Sequence, residues 1–194
     1  LNPQKASPSK TLITLAFMRY YHNKSIQLLF LGRVDIMMKF VVFLDVDGVL
    51  NTRTTVKRTP SDCIGIDDAR VKILANAIEK CGGGEIILSS DWKNLDKDHD
   101  DYKYLISKLA QCNLKISGHT TDRALERGKG IKEYLELHPE IEEYVILDDY
   151  TFEFEHYKKL WERLLLTRGI ENVRFASRTP AVEAILFENY IKEF

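Results

Sequence analysis

The sequence has little cysteine and no clustering of histidine, the residues that build disulfide frameworks and zinc sites. Its three cysteines, Cys63, Cys81 and Cys112, are far apart and odd in number. They form neither a disulfide framework nor a pattern of metal ligands. The five histidines are also scattered, and we interpret them as structural or surface groups. A reducing, cytoplasmic setting is the simplest expectation.

The chain also lacks an excess of charge of either sign and a long hydrophobic run. Its formal net charge is −1 over 194 residues, which predicts no general attraction to nucleic acid or to anionic membranes. Its apolar runs are too short to span a bilayer, so we expect no membrane association. The composition, 44% hydrophobic and 29% charged, is typical of a globular protein, and the length suits one domain with a full core.

Acidic residues are absent from positions 1–34, although this stretch contains five basic residues. Such a segment can be an organellar transit peptide, but this one is poorer in Ser and Arg than usual. We favour a simpler interpretation, a leader or a start assigned too far upstream, because Met37 and Met38 directly precede the first predicted strand. We therefore predict an extension at 1–37 outside the core and one folded domain at 38–194.

The sequence does contain a short apolar run that ends in two carboxylates. Residues 40–44 are β-branched and aromatic without alternation, which is typical of a buried strand in a parallel sheet. Asp45 and Asp47 follow directly, and Gly48 allows a sharp turn. Buried carboxylates are costly unless they are neutralised, and ligands bind at the carboxyl ends of parallel strands. The pattern therefore indicates a divalent cation and acid–base or nucleophilic chemistry.

Strands and helices alternate along the rest of the chain. Further strands are predicted at 85–90, 114–120, 144–149 and 173–176. Helices are predicted from Asp67 or Asp68 to the glycines at 82–84, at 102–112, 128–138 and 157–167, and from Thr179-Pro180 onwards, with Val182, Ile185 and Leu186 buried. This alternation predicts an α/β fold, a parallel sheet with helices on both faces.

Three of the predicted strands end in reactive groups. Asp45 and Asp47 follow the first, a pair of serines ends the second, and Asp148 and Asp149 end the strand at 144–149. In a doubly wound sheet these ends converge on one crevice. The alternatives are that the serines satisfy backbone groups at a strand end and that the later acids cap a helix.

Several segments together resemble the compact haloacid dehalogenase-like (HAD) domains that occur in multi-domain RNA-repair proteins. The segments are 45–51, 89–93, 118–121, 127–131 and 145–149. The resemblance covers about residues 38–150 and implies an HAD-type Rossmann-like fold. The intervals between the motifs are short, each holding about one helix and loops, so we expect no large cap domain.

The resemblance implies a division of roles among the carboxylates. Asp45 would be the nucleophile that forms an aspartyl-phosphate, and Asp47 would be the general acid and base. Mg²⁺ would be held by Asp45, Asp148 and the backbone carbonyl of Asp47. Asp149 would act through water or as a more distant ligand.

The resemblance also implies two groups that bind the phosphoryl group. Ser89 would donate a hydrogen bond to it, with Ser90 a close alternative. Arg127 would neutralise its charge. It is preferred to Lys129 by analogy with the sequence motif usual in the family. Trp92 is more often a packing residue than a base-stacking platform.

The resulting hypothesis is a Mg²⁺-dependent phosphohydrolase of phosphate monoesters. An open crevice favours polynucleotide phosphate ends over a small phosphorylated metabolite. The alternative is a non-catalytic domain that binds a phosphorylated partner. A dehalogenase is a weaker hypothesis, because dehalogenases do not need the arrangement of Asp47 and Mg²⁺. The sequence leaves the substrate and the oligomeric state open.

Overall fold

A twisted sheet organises the computed structural model, which describes residues 40–122, 126–175 and 181–194. Its strands are β1 (Phe40–Leu44), β2 (Glu85–Leu88), β3 (Ile116–His119), β4 (Glu143–Asp148), β5 (Leu164–Thr167) and β6 (Val173–Phe175). Their order is β3-β2-β1-β4-β5-β6. The first five in this order are parallel, and β6 is antiparallel to β5. β1 is therefore central, with β2 and β4 beside it.

The helices cover both faces of this sheet, as predicted. They are α1 (Asp68–Lys80), α2 (Asp100–Ala110), α3 (Arg127–Leu137), α4 (Lys158–Trp161) and α5 (Val182–Ile191), with 3₁₀ turns at Asp91–Asn94 and Phe154–His156. Alternate side chains of β1 enter two separate cores. Leu44 packs with Leu74 and Phe187 on one face, and Phe43 packs with Ile131 on the other.

The predicted helix at 157–167 is wrong beyond Trp161. Residues 164–167 instead form β5, in which Leu164 and Leu165 pair with Ile146 and Leu147 of β4. Leucines at this spacing fit a helical face, but three consecutive leucines also fit a short buried strand, and periodicity alone does not separate the two. Pairing with β4 in the sheet overrides the helical preference of leucine.

The buried face predicted for the last helix is also wrong. Val182 is 45% exposed, and Ile185 and Leu186 are only half-buried. The buried residues of α5 are Ala184, Phe187, Glu188 and Ile191. This segment carries apolar side chains around most of its circumference, so its pattern does not specify which side faces the core.

Some predictions fall outside the described residues. These are the extension at 1–37, Ala176 at the end of the predicted last strand, and the Thr179-Pro180 start of the last helix. Within the described ranges, no helix combines the length and the apolar character needed to cross a membrane.

Replacing Phe187 by alanine should lower the free energy of unfolding by about 3–5 kcal/mol, because the cavity left by a buried ring is only partly filled. Phe187 is fully buried, and its ring centroid lies 6.0 Å from that of Phe40. Urea unfolding measures the change. Leu137→Ala, at a position 78% exposed, is the control and should change stability by less than about 0.5 kcal/mol. Similar losses in both variants would contradict the assigned core.

Candidate active site

The carboxyl ends of β1 and β4 bring three carboxylates together. Asp45 follows β1 directly, Asp148 ends β4, and Asp149 comes next. The pairing of Leu44 with Leu147 sets these ends side by side. One carboxylate oxygen from each of the three lies within 4.8 Å of the others. Such a set of hard oxygen donors suits a divalent cation such as Mg²⁺.

Arg127 is the counter-ion of this cluster. It is the first residue of α3 and is buried. Its Nη1 lies 3.1 Å from Oδ1 of Asp45 and 2.7 Å from Oδ2 of Asp148. Its guanidinium also lies over the ring of Phe152, 4.5 Å from the centroid. Lys129 is exposed and faces Glu126 at 3.4 Å, so only one of the two candidate cations reaches the cluster.

Burial dominates the electrostatics of the cluster. It raises the pKa of Asp45 to about 8, with Asp148 adding to the effect and Arg127 opposing it. Burial likewise raises the pKa of Asp148 to about 6 against the opposing Arg127, and it raises the pKa of Asp149. Burial acts to lower the pKa of Arg127, but Asp45 and Asp148 raise it on balance. One guanidinium thus faces three carboxylates, and the remaining negative charge fits a bound cation.

The Asp47 carboxylate lies apart from this cluster, at an exposed position. Its Oδ1 accepts a hydrogen bond of 2.7 Å from Nδ2 of Asn51, and its Oδ2 accepts one of 2.9 Å from Nε1 of Trp92. Asn51 in turn accepts a hydrogen bond of 3.1 Å from the backbone N–H of Gly48. Both carboxylate oxygens are therefore oriented while the group stays open to solvent.

Only glycine fits at position 48, where the loop after β1 passes close to Asp149. Its φ of +73° is a left-handed conformation, and a Cβ at this position would lie 2.2 Å from the Asp149 side chain. The Gly48 carbonyl accepts hydrogen bonds from Oγ1 of Thr167 at 2.8 Å and from the backbone N–H of Gly169 at 2.6 Å. These hydrogen bonds attach the loop after β1 to the end of β5 and to the loop that follows it.

Ser89 and Ser90 lie beside the cluster, just after β2. Both backbone N–H groups donate to the carbonyl of Leu44, at 3.0 and 3.3 Å. Both hydroxyls are buried and have no hydrogen-bond partner within the described part of the chain. The Ser90 hydroxyl acts on Asp45, since it lowers the pKa of that carboxyl against the larger effect of burial. Neither hydroxyl is occupied by the backbone; that of Ser90 faces Asp45, and that of Ser89 is available to a ligand.

Two residues near the site carry no functional assignment from the sequence. Lys93 and Asp122 form an ion pair at 3.0 Å with side chains only 2% and 1% exposed. Lys93 also donates to the carbonyl of Ser89 at 3.2 Å, and a Cβ on Gly130 would lie 2.2 Å from Oδ1 of Asp122. The pair therefore ties the segment after β2 to α3. Nothing in the sequence pattern links two residues so far apart along the chain.

The sequence predicts Trp92 to be a packing residue, and it identifies no partner for Asn51. Trp92 is indeed buried, but its indole N–H also orients Asp47. The spacing of Asn51 from Asp47, four residues, is the only sequence signal for the contact between them.

A comparison with models of protein families identifies the family of this chain. The model of the HAD domain in Swiss Army Knife RNA repair proteins matches residues 41–173, well over half of the chain. The chain belongs to this family. The matched range contains the three carboxylates, Asp47 and Arg127, and the resemblance and the HAD-type Rossmann-like fold are confirmed. No curated protein and no solved structure matches the chain significantly.

Without divalent cations, the HAD domain should lose stability as pH rises from about 4 to about 8. Asp45 ordinarily titrates near 3.8, so within this window the folded state holds a proton that the unfolded chain has released. Urea unfolding in a chelating buffer at about pH 5 and about pH 8 measures the change. Asp45→Asn cannot ionise and should show a weaker pH dependence. The same dependence in both proteins would contradict the assignment.

Proposed function

We propose that this HAD domain is a Mg²⁺-dependent phosphohydrolase that acts on phosphate monoesters through an aspartyl-phosphate intermediate. The observation that carries the proposal is the contact of Arg127 with both Asp45 and Asp148, within a cluster completed by Asp149. A phosphate monoester is doubly anionic, so a carboxylate can approach it only where cations offset the repulsion.

Mg²⁺ would be held by Asp45, Asp148, Asp149 and the backbone carbonyl of Asp47. The excess of negative charge and the oxygen donors of the cluster support this assignment. When bound, the ion supplies positive charge that screens the phosphoryl oxygens and favours the ionised form of Asp45.

In the first step, a carboxylate oxygen of Asp45 attacks phosphorus and the bond to the leaving oxygen breaks. Asp47, held by Asn51 and Trp92, gives that oxygen a proton. Asp47 then takes a proton from the water that hydrolyses the aspartyl-phosphate, which releases phosphate and restores Asp45. Arg127 balances the charge of the phosphoryl group in both steps.

Ser89 would donate a hydrogen bond to the transferring phosphoryl group, with Ser90 as the alternative donor. The support is that both buried hydroxyls lack a partner among the described residues. The Ser90 hydroxyl already acts on Asp45, so Ser89 is the preferred donor. A donor preset at this position stabilises charge that develops during transfer.

We propose polynucleotide phosphate ends as substrates ahead of small phosphorylated metabolites. The name of the family refers to RNA repair proteins, and Asp47 lines two surface grooves. An open site admits a large leaving group, which itself excludes water from the reaction. A cytoplasmic location is consistent with the three free cysteines, Cys63, Cys81 and Cys112.

The purified protein should hydrolyse an aryl phosphate only with Mg²⁺, and Asp45→Asn should lower kcat by about 10³-fold or more, because it removes the nucleophile. Arg127→Gln should lower kcat/KM by about 10²-fold, and the matched Lys129→Gln should leave it nearly unchanged. Steady-state kinetics with and without a chelator measure these effects, and thermal unfolding checks that each variant is folded.

Turnover that persists in Asp45→Asn or in chelator would contradict the mechanism. Folded protein that binds phosphate but hydrolyses neither aryl phosphates nor 3′- or 5′-phosphorylated oligonucleotides would instead favour the phosphoryl-binding alternative.

Trp92→Phe keeps an aromatic ring in the core and removes the hydrogen bond to Asp47. If Asp47 protonates the leaving oxygen, kcat should fall by about 10-fold for an alkyl phosphate, whose leaving group needs the proton, and less for a nitrophenyl phosphate. The comparison of the two substrates measures this role, since a purely structural defect would slow both equally. Equal losses would count against a role of Trp92 in proton transfer.

A further inference from the structure

One groove beside Asp47 has the size of a nucleotide-binding site. It encloses about 860 Å³ between the loop after β1 and the loop after β5, residues 168–172. Arg53, Arg168 and Asp149 are among its lining residues. Ligand pockets commonly have volumes of about 300–1,000 Å³. Because Asp47 and Asp149 also line it, the groove opens directly onto the reaction centre.

The walls of this groove are fixed before any ligand binds. Ile170 donates its backbone N–H to the carbonyl of Val49 at 2.9 Å, which adds to the contacts of Gly48 with the same loop. Arg70 of α1 forms two hydrogen bonds with Glu171, at 2.8 and 2.6 Å. Its Nη1 also donates to Oγ1 of Thr52 at 3.3 Å. A preformed site loses less conformational entropy on binding.

Two guanidinium groups in the groove are left without an anionic partner. Arg70 is neutralised by Glu171, and Asp47 and Asp149 belong to the proposed reaction centre. Arg53 and Arg168 are exposed, and neither forms an ion pair with any residue that the structure describes. The groove therefore offers two positive charges with no ion-pair partner among the described residues, in a lining that they share with Asp47 and Asp149.

A second groove that Asp47 also lines, the acidic groove, has a different charge. It encloses about 600 Å³, and its charged lining includes Asp62, Asp91 and Asp101 against the single Arg58. Acidic side chains repel a phosphate group. An anionic leaving group would thus be directed to the side of Arg53 and Arg168.

We propose that the groove lined by Arg53 and Arg168 binds a second phosphate of the substrate, carried on the leaving group. The inference rests on the proposed phosphohydrolase function and narrows its substrate class. Guanidinium groups bind phosphate oxygens through paired, charge-assisted hydrogen bonds. The second phosphate can come from a nucleoside bisphosphate or from the backbone of an oligonucleotide, two sources with the same chemistry.

The experiment compares kcat/KM for a nucleoside 3′,5′-bisphosphate, the matching 3′-monophosphate and a short oligonucleotide with a terminal 3′-phosphate. The wild-type protein should prefer a substrate with a second phosphate, and Arg53→Gln or Arg168→Gln should each lower that preference by about 10-fold. Arg58→Gln, in the acidic groove, is the matched control and should keep the preference. Added salt should weaken the preference in the wild-type protein.

Binding is measured separately in the Asp45→Asn background, by calorimetry with the bisphosphate and with the oligonucleotide in the presence of Mg²⁺. The dissociation constant should rise by about the same 10-fold when Arg53 or Arg168 is replaced. Arginine-dependent binding of both ligands, or of one alone, supports the proposal and identifies the source of the phosphate. The proposal is overturned if neither ligand binds more tightly than the monophosphate, or if the arginine variants bind as Arg58→Gln does.

These experiments test the proposed phosphohydrolase function and the proposed phosphate-binding groove separately. Absence of turnover of both aryl phosphates and phosphorylated oligonucleotides would reject the proposed function while the binding series still tests the groove. Turnover without any arginine-dependent preference would reject the groove alone.

Discussion

The structure depends on the placement of one guanidinium between two buried carboxylates. Asp45 and Asp148 are removed from water by the central strands, and Arg127 contacts both. Without it, two neighbouring acids in the interior would have no compensating charge, a situation that strongly destabilises folded proteins. The start of α3 is therefore constrained by electrostatics as much as by packing, and the pairing of β1 with β4 brings that constraint into the centre of the sheet.

Burial also divides the site into two chemical environments. The cluster of Asp45 and Asp148 is dry, so charge interactions there are strong and an added cation has a large effect. Asp47 lies only two residues after Asp45 but is exposed, and it is oriented by neutral donors, Asn51 and Trp92. One short segment of the chain thus provides a buried carboxylate, Asp45, and an exposed one, Asp47.

The sequence predicted the parts of this arrangement that local pattern determines. The strand at 40–44 could be predicted because a short β-branched and aromatic run is typical of a buried strand. The carboxylates directly after this run mark the end of the strand. The assignment of 164–167 to a helix failed because three leucines suit either element and only pairing with β4 decides. The choice between Arg127 and Lys129 and the buried pair of Lys93 and Asp122 depend on contacts between distant segments, which no single pattern records.

The hydrogen bonds of Gly48 join the loop after β1 to the loop after β5, which lies far from it in the sequence. The residues proposed for the chemistry all lie between 45 and 149, whereas one wall of the groove lies at 168–172. The proposed reaction centre and one wall of the proposed phosphate-binding groove therefore lie in separate stretches of the chain that meet at Gly48, while Arg53 of the other wall closely follows Asp47. Exchange of the five residues after β5 is expected to change the choice of leaving group without altering the reaction centre.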